Sequence, residues 1–264
     1  MSARPNPRLK PRLKPSPNSG PARRGLLMAS AAGLLAAAWP LAGLAASVRG
    51  SGHSATETRA LADFQAIALS GSMDLEVRQG AAQSVQVRAD DNLLALLETT
   101  VESGGNGPTL HVRWKKGENV HSSSRVRVSV TLPRLVALAT SGSGDMKVES
   151  FTTPSLQVSI SGAGDARLNQ LNTDELSIRI AGSGDVSGSG KATKLKIGIS
   201  GSGDVRLADL AAEEVSVKIA GSGDAAVNAG KTLDVSIAGS GDVTYTGNAA
   251  VKLSTTGSGS VTKR

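Results

Sequence analysis

SGSGDM (Ser141–Met146), SGAGDA (Ser161–Ala166), AGSGDV (Ala181–Val186), SGSGDV (Ser200–Val205), AGSGDA (Ala220–Ala225) and AGSGDV (Ala238–Val243) are copies of one phrase, and TGSGSV (Thr256–Val261) is a worn seventh. The closing aspartates, Asp145, Asp165, Asp185, Asp204, Asp224 and Asp242, are 20, 20, 19, 20 and 18 residues apart, and Ser260 follows 18 later. A fixed period near 20 is the mark of a solenoid, in which each repeat is one coil stacked on the next.

Before each phrase runs an alternating apolar stretch, such as Leu156, Val158, Ile160 or Leu195, Ile197, Ile199, and after it a shorter one, such as Val205, Leu207. Period-2 alternation predicts strands with one face buried. The coil then reads strand, corner, strand, return turn. Stacking coils about 4.8 Å apart would pair the strands in parallel and align the aliphatic side chains into interior columns. The expected fold is all-β, a parallel β-helix with coils of about 20 residues.

In each corner two glycines bracket a serine: Gly142 and Gly144, Gly162 and Gly164, Gly182 and Gly184, Gly201 and Gly203, Gly221 and Gly223, Gly239 and Gly241. Glycine lets backbone turn through positive φ, and aspartate can close such a turn by bonding nearby N–H groups. Structural corners are therefore expected at these positions. The stacked aspartates also form a row of carboxylates that repel by about 3–4 kcal/mol per adjacent pair at an effective dielectric near 20, so they need exposure, hydrogen bonds or cations. They are the only metal-binding candidates, and weak ones, because one carboxylate per coil falls short of the six to eight oxygens calcium takes. No cofactor motif and no catalytic constellation are legible.

Ahead of the repeats the pattern is looser. Residues 61–134 form a less regular part of the same domain and residues 135–261 the regular coils. Asp90 followed by Leu93, Leu94, Leu96 and Leu97 predicts one short helix near 91–98, packed on the solenoid or covering its end. Residues 47–60 are polar and glycine-containing, and read as a flexible linker.

Residues 1–46 have a basic, proline-rich start, then the apolar run Gly25–Ala46 with a small-residue exit. That is the order of an export signal, and Arg23-Arg24 admits the twin-arginine type. Membrane contact is expected only through this leader, were it retained. The leader carries 7 of the 29 Lys and Arg and none of the 22 Asp and Glu, so the remaining chain is neutral at 22 against 22. The basic pI thus gives no support to nucleic-acid binding. Cysteine is absent, which excludes disulfides, thiolate metal sites and a lipid-bearing cysteine.

The opening DFQAIALSGSMDLEVRQG (Asp63–Gly80), the segment VQVRADDNLLALLETTVE (Val85–Glu102) and the GSGD repeats together resemble the head GIN domain family, bacterial exported proteins described as adhesins. The resemblance implies a right-handed β-helix with the GSG phrases as tight corners, an adhesive or surface role, and no catalytic residues. Three functions follow as expectations. The first is a non-enzymatic, exported adhesin or envelope module meeting a surface, glycan or protein partner in the periplasm, on the cell surface or outside the cell. The second is a carbohydrate-active lyase or hydrolase on the same architecture, for which four aromatic residues beyond Ala46 are a thin supply of sugar platforms. The third is an oligomerisation scaffold built from copies of this chain.

Overall fold

The computed structural model describes residues 47–264, and the export signal expected at 1–46 lies outside the described residues. In chain order come β1 (Ser47–Arg49), β2 (Ser54–Thr58), β3 (Ala66–Ser70), β4 (Met73–Gln79), β5 (Ser84–Asp90), a 3-10 helix (Asp91–Leu96), β6 (Leu97–Gly104), β7 (Gly107–Trp114), β8 (Asn119–His121) and β9 (Val126–Leu132). The regular coils follow in β10 (Ala137–Gly142), β11 (Met146–Glu149), β12 (Thr152–Gly162), β13 (Ala166–Gly182), β14 (Val186–Gly201), β15 (Val205–Gly221) and β16 (Ala225–Gly239). They end in β17 (Val243–Thr246), β18 (Ala250–Gly257) and β19 (Val261–Lys263). The result is an all-β solenoid of about 6 turns of about 20 residues, with one short helix.

Register explains why the alternation is so regular. Val158 lies opposite Ile178, Ile178 opposite Ile197, Ile197 opposite Val217 and Val217 opposite Val235. Leu138, Ile67 and Leu110 extend this column at the other end. From Leu110 to Val235 no member is more than 3% exposed. Each buried Val, Leu or Ile contributes roughly 1.5–3 kcal/mol, so adjacent coils hold one another through such columns.

Each coil has three sides, where the sequence leaves two or three strands per coil open. Along β13 the buried positions are Ala166 and Leu168, then Leu171 and Thr173, then Leu176, Ile178 and Ile180. The inside–outside alternation slips by one residue at Asn169–Gln170 and again at Asp174–Glu175. Gln170 takes a left-handed φ of 51°, as does Ser150 one coil earlier at 49°. These two slips and the Gly-Ser-Gly-Asp phrase are the three corners.

The N-terminal part does not stack in chain order. β3 and β4 form a coil side, yet they lie between β7 and β9 on one flank and β10 and β11 on the other, all parallel. Beyond them the pairing turns antiparallel: β6 on β7, β5 on β9 and β2 on β5. This switch closes that end of the solenoid, where a parallel coil would leave an open edge.

One expectation is corrected here. Residues 47–60 are not a flexible linker, since β1 pairs with β8 and β2 with β5. These are edge strands held by backbone bonds, so four of the five β2 side chains are exposed and no apolar alternation betrays them. The one short helix expected near 91–98 is present as a 3-10 helix at Asp91–Leu96, although Asp90 supplies no side-chain cap to it. At the opposite end, Val251 and Leu253 continue buried columns yet are 41% and 51% exposed, because no further coil covers β18 among the described residues.

Candidate functional site

The corner column is the most repeated outward feature of the molecule. Its two glycines are there for different reasons. Gly182 has φ 135° and its equivalents are similar, so a side chain would be strained at the first position. The second glycine is not in positive φ. An added Cβ at Gly184 would stand 2.1 Å from the carbonyl oxygen of Gly164 in the coil before. The sequence expectation that both glycines serve the turn is thus half right: the second serves close stacking.

The aspartates correct a second expectation. They do not close their own corners. Asp165 Oδ1 accepts the backbone N–H of Asp185 at 3.0 Å, Asp185 Oδ1 that of Asp204 at 2.9 Å, and Asp204 Oδ1 that of Asp224 at 3.0 Å. The chain of bonds continues from Asp242 to Asp224 and from Ser260 to Asp242, both at 2.8 Å. It begins, at a longer 3.4 Å, with Asp145 on Asp74 and Asp165 on Asp145. Each carboxylate therefore ties one coil to the next, and one of its oxygens is neutralised by a peptide dipole.

Cations relieve part of the remaining repulsion. Arg206 bridges Asp185 at 2.9 Å and Asp204 at 2.8 Å, and its hydrogen bond to Asp185 raises the guanidinium pKa further above its ordinary value. Arg125 reaches Asp74 at 3.4 Å and Arg167 reaches Asp145 at 3.9 Å. Asp165, Asp224 and Asp242 have no ion pair among the described residues. No three His, Cys, Asp or Glu side chains converge to hold a metal ion among the described residues. What the row can do chemically is couple coils and present a periodic line of half-neutralised carboxylates.

Two residues have roles that the sequence reading did not assign to them. Asp90 is fully buried, and its carboxylate accepts hydrogen bonds from the Ser124 hydroxyl, the Ser123 N–H at 2.8 Å and the Ser122 hydroxyl at 2.9 Å. The Ser124 bond foremost, against burial, holds the carboxyl down at about 2 from 3.8. Asp90 thereby pins the segment Ser122–Ser124 at the closed end. Trp114 lies at the head of the corner column. Extending the β3–β7 register two residues sets it opposite Gly71, and its ring lies against that glycine, 3.6 Å from where a Cβ would be. The signal was available: Trp114 shares the inward parity of Leu110 and Val112 but falls where other coils carry glycine.

A parallel β-solenoid whose glycine corners stack and whose corner aspartates link coil to coil is a structural rod with a repetitive surface. Residues 63–249 match the family described as "Putative auto-transporter adhesin, head GIN domain", and the chain belongs to that family. No curated protein matches the chain at a significant level. Among solved structures, a putative adhesin from Bacteroides fragilis is 24% identical with a TM-score of 0.76, covering 83% of this chain and 100% of its own. A putative lipid binding protein from Parabacteroides distasonis is 25% identical with a TM-score of 0.68, over 83% and 100%. A putative adhesin from Parabacteroides merdae is 25% identical with a TM-score of 0.67, over 83% and 99%.

Proposed function

We propose that this chain is a non-enzymatic adhesin, exported by its N-terminal 46 residues and displayed in or on the cell envelope, where its solenoid contacts a surface, glycan or protein partner. The observation that carries the reading is the outward repetition at the corners: the same Gly-Ser-Gly-Asp phrase returns on successive coils, stacked about one strand spacing of 4.8 Å apart. Such a surface suits many weak, equivalent contacts with an extended partner, and effective concentration multiplies them. Family membership and the likeness to solved structures described as putative adhesins support the same reading.

The test is retention of cells, matrix proteins and glycans by the full chain on a surface, run beside turnover assays on a polysaccharide panel. Adhesion predicts retention without turnover. Turnover would favour the carbohydrate-active enzyme instead, and discrete oligomers with no retention would favour the scaffold, with the exposed edge of β18 as the place to look. Fractionation and N-terminal sequencing test export: a mature N-terminus near Ser47 is expected, and a cytoplasmic full-length chain would refute it.

A further inference from the structure

The cleft at the closed end, around Trp114, has a composition found nowhere else on the rod. Trp114 is the one tryptophan among the described residues and is only half-buried. Tryptophan is usually well covered, and an indole N–H taken out of water usually finds a partner. The Trp114 indole N–H is not taken out of water: it donates no hydrogen bond within the described residues and stays open to solvent, while one edge of the ring lies against Gly71. The ring borders an open cleft of about 750 Å³ shared with Ser70, Glu98, Arg113 and Lys116. That volume is within the range of small-ligand sites.

The charges in the cleft are not equivalent. Arg113 is engaged, bonding Glu98 at 3.2 Å and Glu102 at 3.3 Å. Lys116 has no ion pair among the described residues, so it is the one uncommitted charge lining the cleft. The cleft thus offers a flat aromatic surface, an unpartnered N–H, a hydroxyl, a carboxylate edge and a free ammonium. A pyranose ring matches this set, with one face of C–H groups and a rim of hydroxyls. A purely apolar ligand would find only one ring face to pack on, since the rest of the lining is charged or hydroxylic.

We propose that the Trp114 cleft is a carbohydrate subsite that takes a pyranose bearing a carboxylate, the sugar ring stacking on Trp114 and the acid group meeting Lys116. Glu98, held in place by Arg113, and Ser70 bond ring hydroxyls. The proposal rests on the adhesive reading and narrows it to acidic glycans.

The test uses the full chain and two probes, a galacturonic acid trisaccharide and the neutral galactose trisaccharide of the same linkage. Nitrogen-15 proton correlation spectra resolve the indole N–H signals of Trp39 and Trp114, and the one lost in Trp114→Phe belongs to Trp114. The acidic probe is expected to shift that signal in the wild type and to bind roughly tenfold more weakly in Trp114→Leu and in Lys116→Met, while Trp114→Phe stays close to wild type. Leucine preserves an apolar cover over Gly71, and matching melting curves separate lost binding from lost folding. An unshifted signal, equal binding of the neutral probe, undiminished binding by Trp114→Leu, or tighter binding of a nucleotide than of the acidic sugar each overturn the assignment. The two readings fail separately. If the wild type adheres to cells but Trp114→Leu binds the acidic probe as tightly as the wild type does, adhesion stands and the cleft assignment falls. If the wild type binds the acidic probe but retains nothing on a surface, the cleft stands and adhesion falls.

Discussion

Replacing Gly184 by alanine tests the stacked-corner reasoning most directly, because its backbone conformation is not the issue and only the inter-coil distance is. The new Cβ would stand 2.1 Å from the Gly164 carbonyl oxygen and 2.9 Å from Ile160 Cγ2, where ordinary contact begins near 3.4 Å. The two corners would have to part by about 1 Å or the alanine tilt out of its strand. Either motion strains the bonds that join these coils: Ser183 N–H to Gly162 O at 2.9 Å, Asp185 N–H to Asp165 Oδ1 at 3.0 Å, and Ala166 N–H to Asp185 O at 2.8 Å. Overpacking costs about 1–3 kcal/mol and each weakened bond up to about 1 kcal/mol, so a loss of about 3–5 kcal/mol is expected.

Gly198→Ala is the matched control, since it lies on the outer face of the next coil and its Cβ would meet nothing nearer than Ile178 O at 3.9 Å. Without positive φ or a clash there, alanine restricts the unfolded chain and should stabilise by about 0.4–1 kcal/mol. Urea unfolding followed by circular dichroism reads both variants, with the slope checked for lost cooperativity, a known behaviour of repeat arrays. A Gly184→Ala protein within 0.5 kcal/mol of wild type, on the order of the error in such comparisons, would mean the corners do not touch as described. Shifts of opposite sign in the two variants could not come from glycine flexibility alone.

Other perturbations probe different parts of the rod. Thr140 replaces an isoleucine-type position between Leu69 and Ile160, and its hydroxyl is buried with no partner. Thr140→Val should raise the urea midpoint by the equivalent of about 1 kcal/mol, and a fall would show that the hydroxyl is satisfied. Because Asp90 has a folded pKa of about 2, below its ordinary 3.8, its contribution is complete above about pH 4 and is lost as pH falls toward 2. Asp90→Asn should flatten the acid limb of the stability curve and expose residues 122–124 to proteolysis; an unchanged limb refutes the assignment. Removing the shared cation with Arg206→Gln leaves Asp185 and Asp204 facing each other, at a cost of no more than about 1 kcal/mol for exposed groups. That deficit should shrink in molar salt, and salt-independence would argue against the electrostatic reading.

What was legible in the sequence divides along a physical line. The regular coils could be read because each is a local repeat whose buried positions, such as Leu176, Ile178 and Ile180, advertise themselves by alternation. Corners with two glycines were equally plain, although the second glycine's purpose was not, since it depends on the carbonyl of another coil. The aspartate bonds were hidden for the same reason: nothing within SGAGDA says that Asp165 serves Asp185 one coil on. Likewise β2, an edge strand bonded through its backbone, leaves no hydrophobic trace. The closed end was least legible, because β3 and β4 are flanked by strands from both later segments, and that order in space comes from long-range pairing alone. Trp114 shows how the two kinds of information combine. Local parity says it points inward, and only the register reveals that inward, at that level, is the end of the glycine column rather than the core. A rod that repeats one glycine corner along its length thus carries a single tryptophan where the repeat stops, and under the two proposals the repeated surface and that singular cleft would recognise a partner in different ways.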